Sequence, residues 1–274
     1  MVSASSGSPG LPKISLVTPS FNHAKFLPRT IQSVLSQRYP NLEYIVIDGG
    51  SSDDSVDIIR RFAPSLAHWV SERDSGQSEA INKGLKYATG DIIGWLNSDD
   101  TLAPKALWRI AEAYQRWPDA DLVYGHTCLI DTDDKVIKRL VAVPTNAREL
   151  IRYNRNIWSQ PGTTWRRRLQ EKIGLLDQNL HYAMDHDFWI RAALAGNLRC
   201  IPYHLANLRN HPATKSNLFT DRFRQEQQLL DAQYGVEYHD SIHRIAFKMI
   251  KIARALSTPR NYWYYFTSLD DHSG

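Results

Sequence analysis

The sequence predicts an α/β fold, with a mostly parallel central sheet flanked by helices and a helical extension at the C-terminus. Three observations carry that expectation. Short β-rich runs alternate with helically spaced apolar stretches over the first 145 residues. The stretches between the runs are long enough for crossover helices, which parallel strands require. The runs end in polar or acidic turns, the places where open parallel sheets collect ligands.

The elements follow in order. ISLVT, within 13–18, reads as a first strand ended by Pro19, and residues 26–37 carry Phe26, Leu27, Ile31, Val34 and Leu35 at helical spacing. LEYIVI (42–47) is a second strand broken by Asp48-Gly49-Gly50-Ser51. Ser52 is the expected cap of the next helix, with Asp53 and Asp54 in its first turn and Val56, Ile58, Ile59 and Phe62 on its apolar side. A short strand is expected at 68–70, a helix at 78–88 and a strand at 91–96. Pro104 suits the first turn of a helix to about Trp117, and strands follow at 121–130 and 135–143. Past about residue 145 helical and irregular segments are expected to dominate, with dense aromatics and arginines.

At 274 residues, the chain has room for one large α/β domain with a small appendage. The expected division is a Ser/Gly/Pro-rich flexible leader at 1–12, a catalytic domain at 13–215 and the extension at 216–274. A net charge of +4 favours anionic partners such as phosphates or an anionic membrane surface and does not by itself indicate nucleic acid. Cys128 and Cys200 lie in apolar stretches without metal-ligand spacing, which points to a reducing compartment. No apolar run reaches the roughly 18 residues of a membrane span, and the leader lacks a signal-peptide pattern, so cytoplasmic residence is the default expectation.

The chemistry concentrates in the turns. Asn97-Ser98-Asp99-Asp100 follows an apolar strand. Carboxylates at a strand's mouth can hold Mg²⁺ or Mn²⁺. They can equally cap the helix that starts near Pro104. Thr18-Pro19-Ser20-Phe21-Asn22 and Asp48-Gly49-Gly50 are two further strand ends of the same kind.

Four segments occur in order: ISLVTPSFN (14–22), IVIDGGSSDDSVDII (45–59), SERDSGQSEAINKGLKYATGD (71–91) and IIGWLNSDDTLAPKAL (92–107). Together they resemble the family 2 glycosyltransferases of GT-A fold, over roughly residues 13–215. The resemblance implies a nucleobase, usually uracil, held by Pro19, Ser20, Phe21 and Asp48, although many relatives carry a second acid where this chain has Gly49. It implies a divalent metal on Asp99, the second acid of an Asp-x-Asp motif whose first place is Asn97, with Ser98 between; a neutral Asn97 can still bond a ribose hydroxyl. It implies a catalytic base at Asp185 in Tyr182-Ala183-Met184-Asp185-His186-Asp187, where Met184 replaces the more frequent Glu. Asp185 and Asp187 also read as first-turn acids of a helix. His211 and Lys215 match the late loop over the diphosphate, as metal or phosphate contacts. Trp158 lies where relatives shape the acceptor side, and Asp100 either assists the metal or only caps.

The implied reaction transfers a sugar from a nucleotide-diphosphate donor, UDP-linked by resemblance, to a hydroxyl of a carbohydrate or lipid-linked acceptor with inversion, in polysaccharide or glycoconjugate biosynthesis. The departures at Asn97 and Met184 keep open a non-catalytic sugar-nucleotide binder. Residues 241–256 form a basic amphipathic pattern followed by Tyr262-Trp263-Tyr264-Tyr265-Phe266, which suits either a peripheral membrane contact or packing back on the domain.

Overall fold

Alternating side chains place β1 (Ile14–Ser20) and β2 (Leu42–Asp48) between two layers. Ile14, Leu16, Tyr44 and Val46 face one apolar cluster, and Val17, Ile45 and Ile47 face the other. This computed structural model describes residues 10–153, 158–212, 214, 220–235, 249 and 252–254.

Helices α1 (Leu27–Leu35), α2 (Ser55–Phe62) and α4 (Ala106–Arg116) cover the first face. Helices α3 (Gln77–Tyr87) and α7 (Met184–Ala195) cover the second. α3 lies directly on β1 because position 84 is glycine: a Cβ there would meet Val17 at 2.3 Å. The second face also holds an aromatic stack in which Trp95 and Trp189 are parallel at 5.2 Å, with Trp165 and Phe188 edge-on to them.

Strands β3 (His68–Ser71), β4 (Ile92–Trp95), β5 (Thr101–Leu102), β6 (Leu122–Ile130), β7 (Val136–Leu140), β8 (Thr164–Arg166) and β9 (Leu198–Arg209) complete one sheet in the order β3-β2-β1-β4-β8-β6-β9-β5, with β7 on β6. β3, β2, β1 and β4 are parallel, and β6 pairs β9 in parallel. β8 runs antiparallel to both β4 and β6, so those two share the common direction, while β5 and β7 oppose it. Helices α5 (Ala147–Tyr153), α6 (Arg167–Ile173) and α8 (Thr220–Tyr234) also lie among the described residues, and α8 joins the second apolar cluster through Leu230 and Tyr234.

Several local expectations change. Pro19 does not end β1, which continues to Ser20. The β1–β4 ladder stops at Val17↔Trp95, so a proline beyond it costs no hydrogen bond on that side. α2 starts at Ser55 behind Asp54, and the Ser52 backbone N–H donates instead to Asn22. α4 starts after Lys105 with no side-chain cap, so neither Asp99 nor Asp100 caps it. Past residue 145 the chain still contributes β8 and the twelve-residue β9.

Of segment 241–256, Met249 and residues 252–254 are described. Arg254 turns inward onto both carboxylate oxygens of Glu149 at 2.7 Å, while Met249 and Ile252 are exposed. Glu149 offers a sheltered carboxylate whose pKa the Arg254 guanidinium holds down. The Tyr262–Phe266 aromatics lie outside the described residues. No helix among the described residues is long and apolar enough to cross a membrane.

Candidate functional site

The turns after β1 and β2 are fastened to each other. Asn22, in a left-handed conformation with φ 53°, accepts from the backbone N–H of Ser52 at 2.8 Å and donates its own N–H to Ser51 Oγ at 2.8 Å. The Gly49 N–H donates to the Ser20 carbonyl at 2.8 Å. Asp48 is fully buried: Oδ2 accepts from the N–H groups of Gly50 and Ser51 and from Ser71 Oγ, and Oδ1 accepts from Ser51 Oγ. Its carboxylate therefore shapes the turn. Pro19 and Ser20 are buried beside it, and Phe21 stands 58% exposed at the mouth.

Asp74 was not legible as a site residue. A Cβ built on Gly49 would lie 2.6 Å from its carboxylate, so Asp74 fills the space a side chain at 49 would take. Burial, with smaller contributions from Glu79 and Asp48, raises its pKa.

After β4, Asn97 is held in a polar net. Its Oδ1 accepts from Gln77 Nε2 at 2.7 Å, and its amide donates to Asp100 at 3.2 Å and to Gln160 Oε1 at 3.3 Å. Asp100 is sealed inside the protein. It accepts the Arg209 backbone N–H at 2.8 Å, and burial followed by the neighbouring Asp99 charge pushes its pKa well up. Arg209, 1% exposed, donates to the carbonyls of Asp99 and Asp131 and pairs with Asp134, so one buried guanidinium joins three stretches of the rim.

Asp99 meets His211 with Oδ2 to Nε2 at 3.1 Å. His23, which sequence reasoning passed over, completes a group: one ligand atom from each of His23, Asp99 and His211 lies within 4.8 Å of the others. The Ser98 hydroxyl contacts His23 Nδ1 at 2.7 Å, an outer contact that orients the ring and suits Nε2 to a cation. Two imidazoles and one carboxylate, brought together from the ends of three strands, fit a divalent transition metal. The turn carrying His211 is closed by its backbone N–H donating to Thr214 Oγ1 at 3.0 Å. Lys215 lies outside the described residues.

A cavity of about 430 Å³ opens beside this group, within the usual size range of ligand sites. Asn97, Gln77, Gln160, His181, Tyr182 and Asp185 are among its lining residues, and Thr214, which bonds the His211 backbone, links it to the His23–Asp99–His211 group. Asp185 sits in the first turn of α7, half-buried, with Oδ1 accepting the His186 N–H at 2.8 Å. Asp187 is occupied structurally, pairing with Arg191 at 2.8 Å and accepting from the Tyr234 hydroxyl at 2.6 Å. Trp158 lines the cavity, but a face of its ring is stacked on Tyr124 at 4.0 Å. Trp165 is wholly core.

The chain belongs to glycosyl transferase family 2, whose family model matches residues 15–198. An uncharacterised glycosyltransferase of Nostoc sp. is 29% identical over 275 residues, covering 94% of this chain and 84% of the relative. Among solved structures, Staphylococcus aureus TarS in complex with UDP-GlcNAc superposes with a TM-score of 0.66 at 17% identity, over 92% of this chain and 75% of TarS. A mannosyltransferase of Pyrobaculum calidifontis in complex with GDP-Man and Mn²⁺ gives 0.59 at 21% identity, over 93% and 72%. The fold is GT-A, and the chain is a glycosyltransferase by family.

Proposed function

We propose that this protein transfers a hexosyl or N-acetylhexosaminyl group from a UDP-linked donor to an acceptor hydroxyl, inverting the anomeric centre. The observation that carries this reading is a cavity lined by both Asn97 and Asp185, next to the His23–Asp99–His211 group. The sugar nucleotides bound to TarS and to the Pyrobaculum enzyme support a sugar-nucleotide donor, and TarS favours UDP.

Pro19, Ser20, Phe21 and Asp48 form the base side of the donor site, with Asp74 adding a carboxyl where relatives place a second acid. Asn97 and Ser98 face the ribose. His23, Asp99 and His211 would hold Mn²⁺ or Mg²⁺, which when bound supplies neutralising charge to the departing diphosphate. Asp185 accepts the proton of the acceptor hydroxyl as that oxygen attacks the anomeric carbon opposite the leaving nucleotide. Gln77 and Gln160 fix Asn97, so the ribose contact is set before the donor arrives. Trp158, buried but lining the cavity, is assigned to the acceptor side, and the family resemblance assigns Lys215 to the phosphate. A carbohydrate or lipid-linked acceptor fits this arrangement. The exposed Met249 and Ile252 support a peripheral membrane contact by the extension at 216–274, at the cytoplasmic face.

The test is a thermal-shift panel of UDP- and GDP-sugars with and without Mn²⁺, followed by assay of nucleotide release. A stabilising UDP-sugar whose effect requires the metal is expected. Stabilisation by no sugar nucleotide, with no nucleotide release, would end the enzyme reading.

A further inference from the structure

The helix that carries Asp185 begins without a cap of its own. Its N-cap residue is Ala183, which has no side-chain oxygen to offer. The carboxylate at this place comes from α8 instead. Glu226 Oε1 accepts the His181 N–H at 2.8 Å, and Oε2 accepts the N–H groups of Tyr182 at 2.7 Å and Ala183 at 2.8 Å. Glu226 is only 9% exposed.

The grip has a second point. Two turns along the same stripe of α8, the Tyr234 hydroxyl donates to Asp187 at 2.6 Å, and between the two points Leu230 is buried in the core. Residues 226, 230 and 234 recur at helical spacing, so one face of α8 holds the backbone just before Asp185 and the side chain just after it. Hydrogen bonds to an ionised carboxylate are among the stronger kind, and three on one sheltered group leave the 181–183 backbone little freedom.

We infer that Glu226 is a positioning residue for Asp185, and that α8 is thereby part of the catalytic unit. This rests on the reading of Asp185 as the base. Proton transfer needs close approach, and small displacements of a positioned group lower rates steeply. Glu226 bonds the 181–183 backbone and is not among the residues lining the cavity, so it acts on Asp185 through that backbone.

The experiment uses the full chain and UDP release from whichever of UDP-glucose, UDP-galactose and UDP-N-acetylglucosamine the wild type turns over fastest. For Glu226→Gln, kcat is expected to fall about 10- to 100-fold. Donor KM and the affinity for UDP with Mn²⁺ should stay within about twofold, and the 181–183 amides should exchange hydrogen faster. Glu226→Asp should recover part of the lost kcat. If the glutamine variant does not fold, the aspartate variant carries the same comparison. Wild-type kcat in a variant whose 181–183 amides exchange faster would overturn the inference, as would equal losses in kcat and in UDP binding. Asp185→Asn separates the two levels: full turnover there removes the base reading itself, whereas an inactive Asp185→Asn beside a fully active Glu226→Gln removes only the role of Glu226.

Discussion

Nε2 of His211 lies 3.1 Å from Oδ2 of Asp99, although 112 residues separate them in the chain. β9 makes the meeting possible by running parallel to β6 until Arg209 and delivering His211 just beyond the sheet. With His23 alongside, the group has two nitrogen donors, which favours Mn²⁺ or Co²⁺ over Mg²⁺. Titration followed by Mn²⁺ electron paramagnetic resonance should show this preference. His211→Ala and Asp99→Ala should abolish tight binding, and Ser98→Ala, which loses the orienting contact to His23, should weaken metal binding about tenfold. Equal Mn²⁺ affinity in wild type and Asp99→Ala would remove the site.

Asp185→Asn preserves the shape of the first turn of α7 and removes the proton acceptor. Turnover should fall about 10²–10⁴-fold with donor binding retained. Calorimetry with UDP and Mn²⁺ alongside a nucleotide-release assay separates the two effects. Asp187→Asn should instead lower stability, since Asp187 is engaged by Arg191 and Tyr234.

Asp100→Ala strips the partner from the buried Arg209 N–H. The expected cost is about 1–3 kcal/mol, read from urea unfolding. Because Arg209 also holds the Asp99 carbonyl, Mn²⁺ affinity should drop in the same variant. A change in neither quantity would mean that the rim is fastened elsewhere.

His186 supplies an acid-sensitive element. It is 1% exposed, and burial lowers its pKa to about 4, against a smaller opposing effect of Asp187. A depressed pKa means that the unfolded chain binds the proton first on acidification. The contribution is thus fully present above about pH 6.5 and is lost as the pH falls towards 4, amounting to about 3 kcal/mol at most. Unfolding measured from pH 7 to 4 should show a shallower loss in His186→Asn than in wild type. Identical slopes would show that this histidine does not titrate with unfolding.

Apart from the two-residue β5, the alternation of β1 through α4 was legible because each strand is short and closed by a turn, and each helix buries one stripe. β9 was not. LRCIPYHLANLR contains a proline and no clean two-residue period, and its strand character comes from pairing with β6, whose own run was plain. The site divided the same way. Asp48, Asn97, Asp99 and Asp185 stand in recognisable strings at element ends. His23, Asp74 and Glu226 act through neighbours between 25 and 188 positions away in the sequence, and nothing local marks them. A partial signal existed for Asp74, since the glycine at 49 left room beside a turn that needs an acid.

That glycine couples positions 49 and 74 sterically. A side chain at 49 would come within 2.6 Å of the Asp74 carboxylate, which would have to move aside, and a small neutral residue at 74 would remove the acid beside the turn. The two columns should therefore exchange together across lineages, so that Gly49→Asp is tolerated chiefly with Asp74→Gly or Asp74→Ser. Recombination that shuffles segments of these transferases should keep 49 and 74 from the same parent.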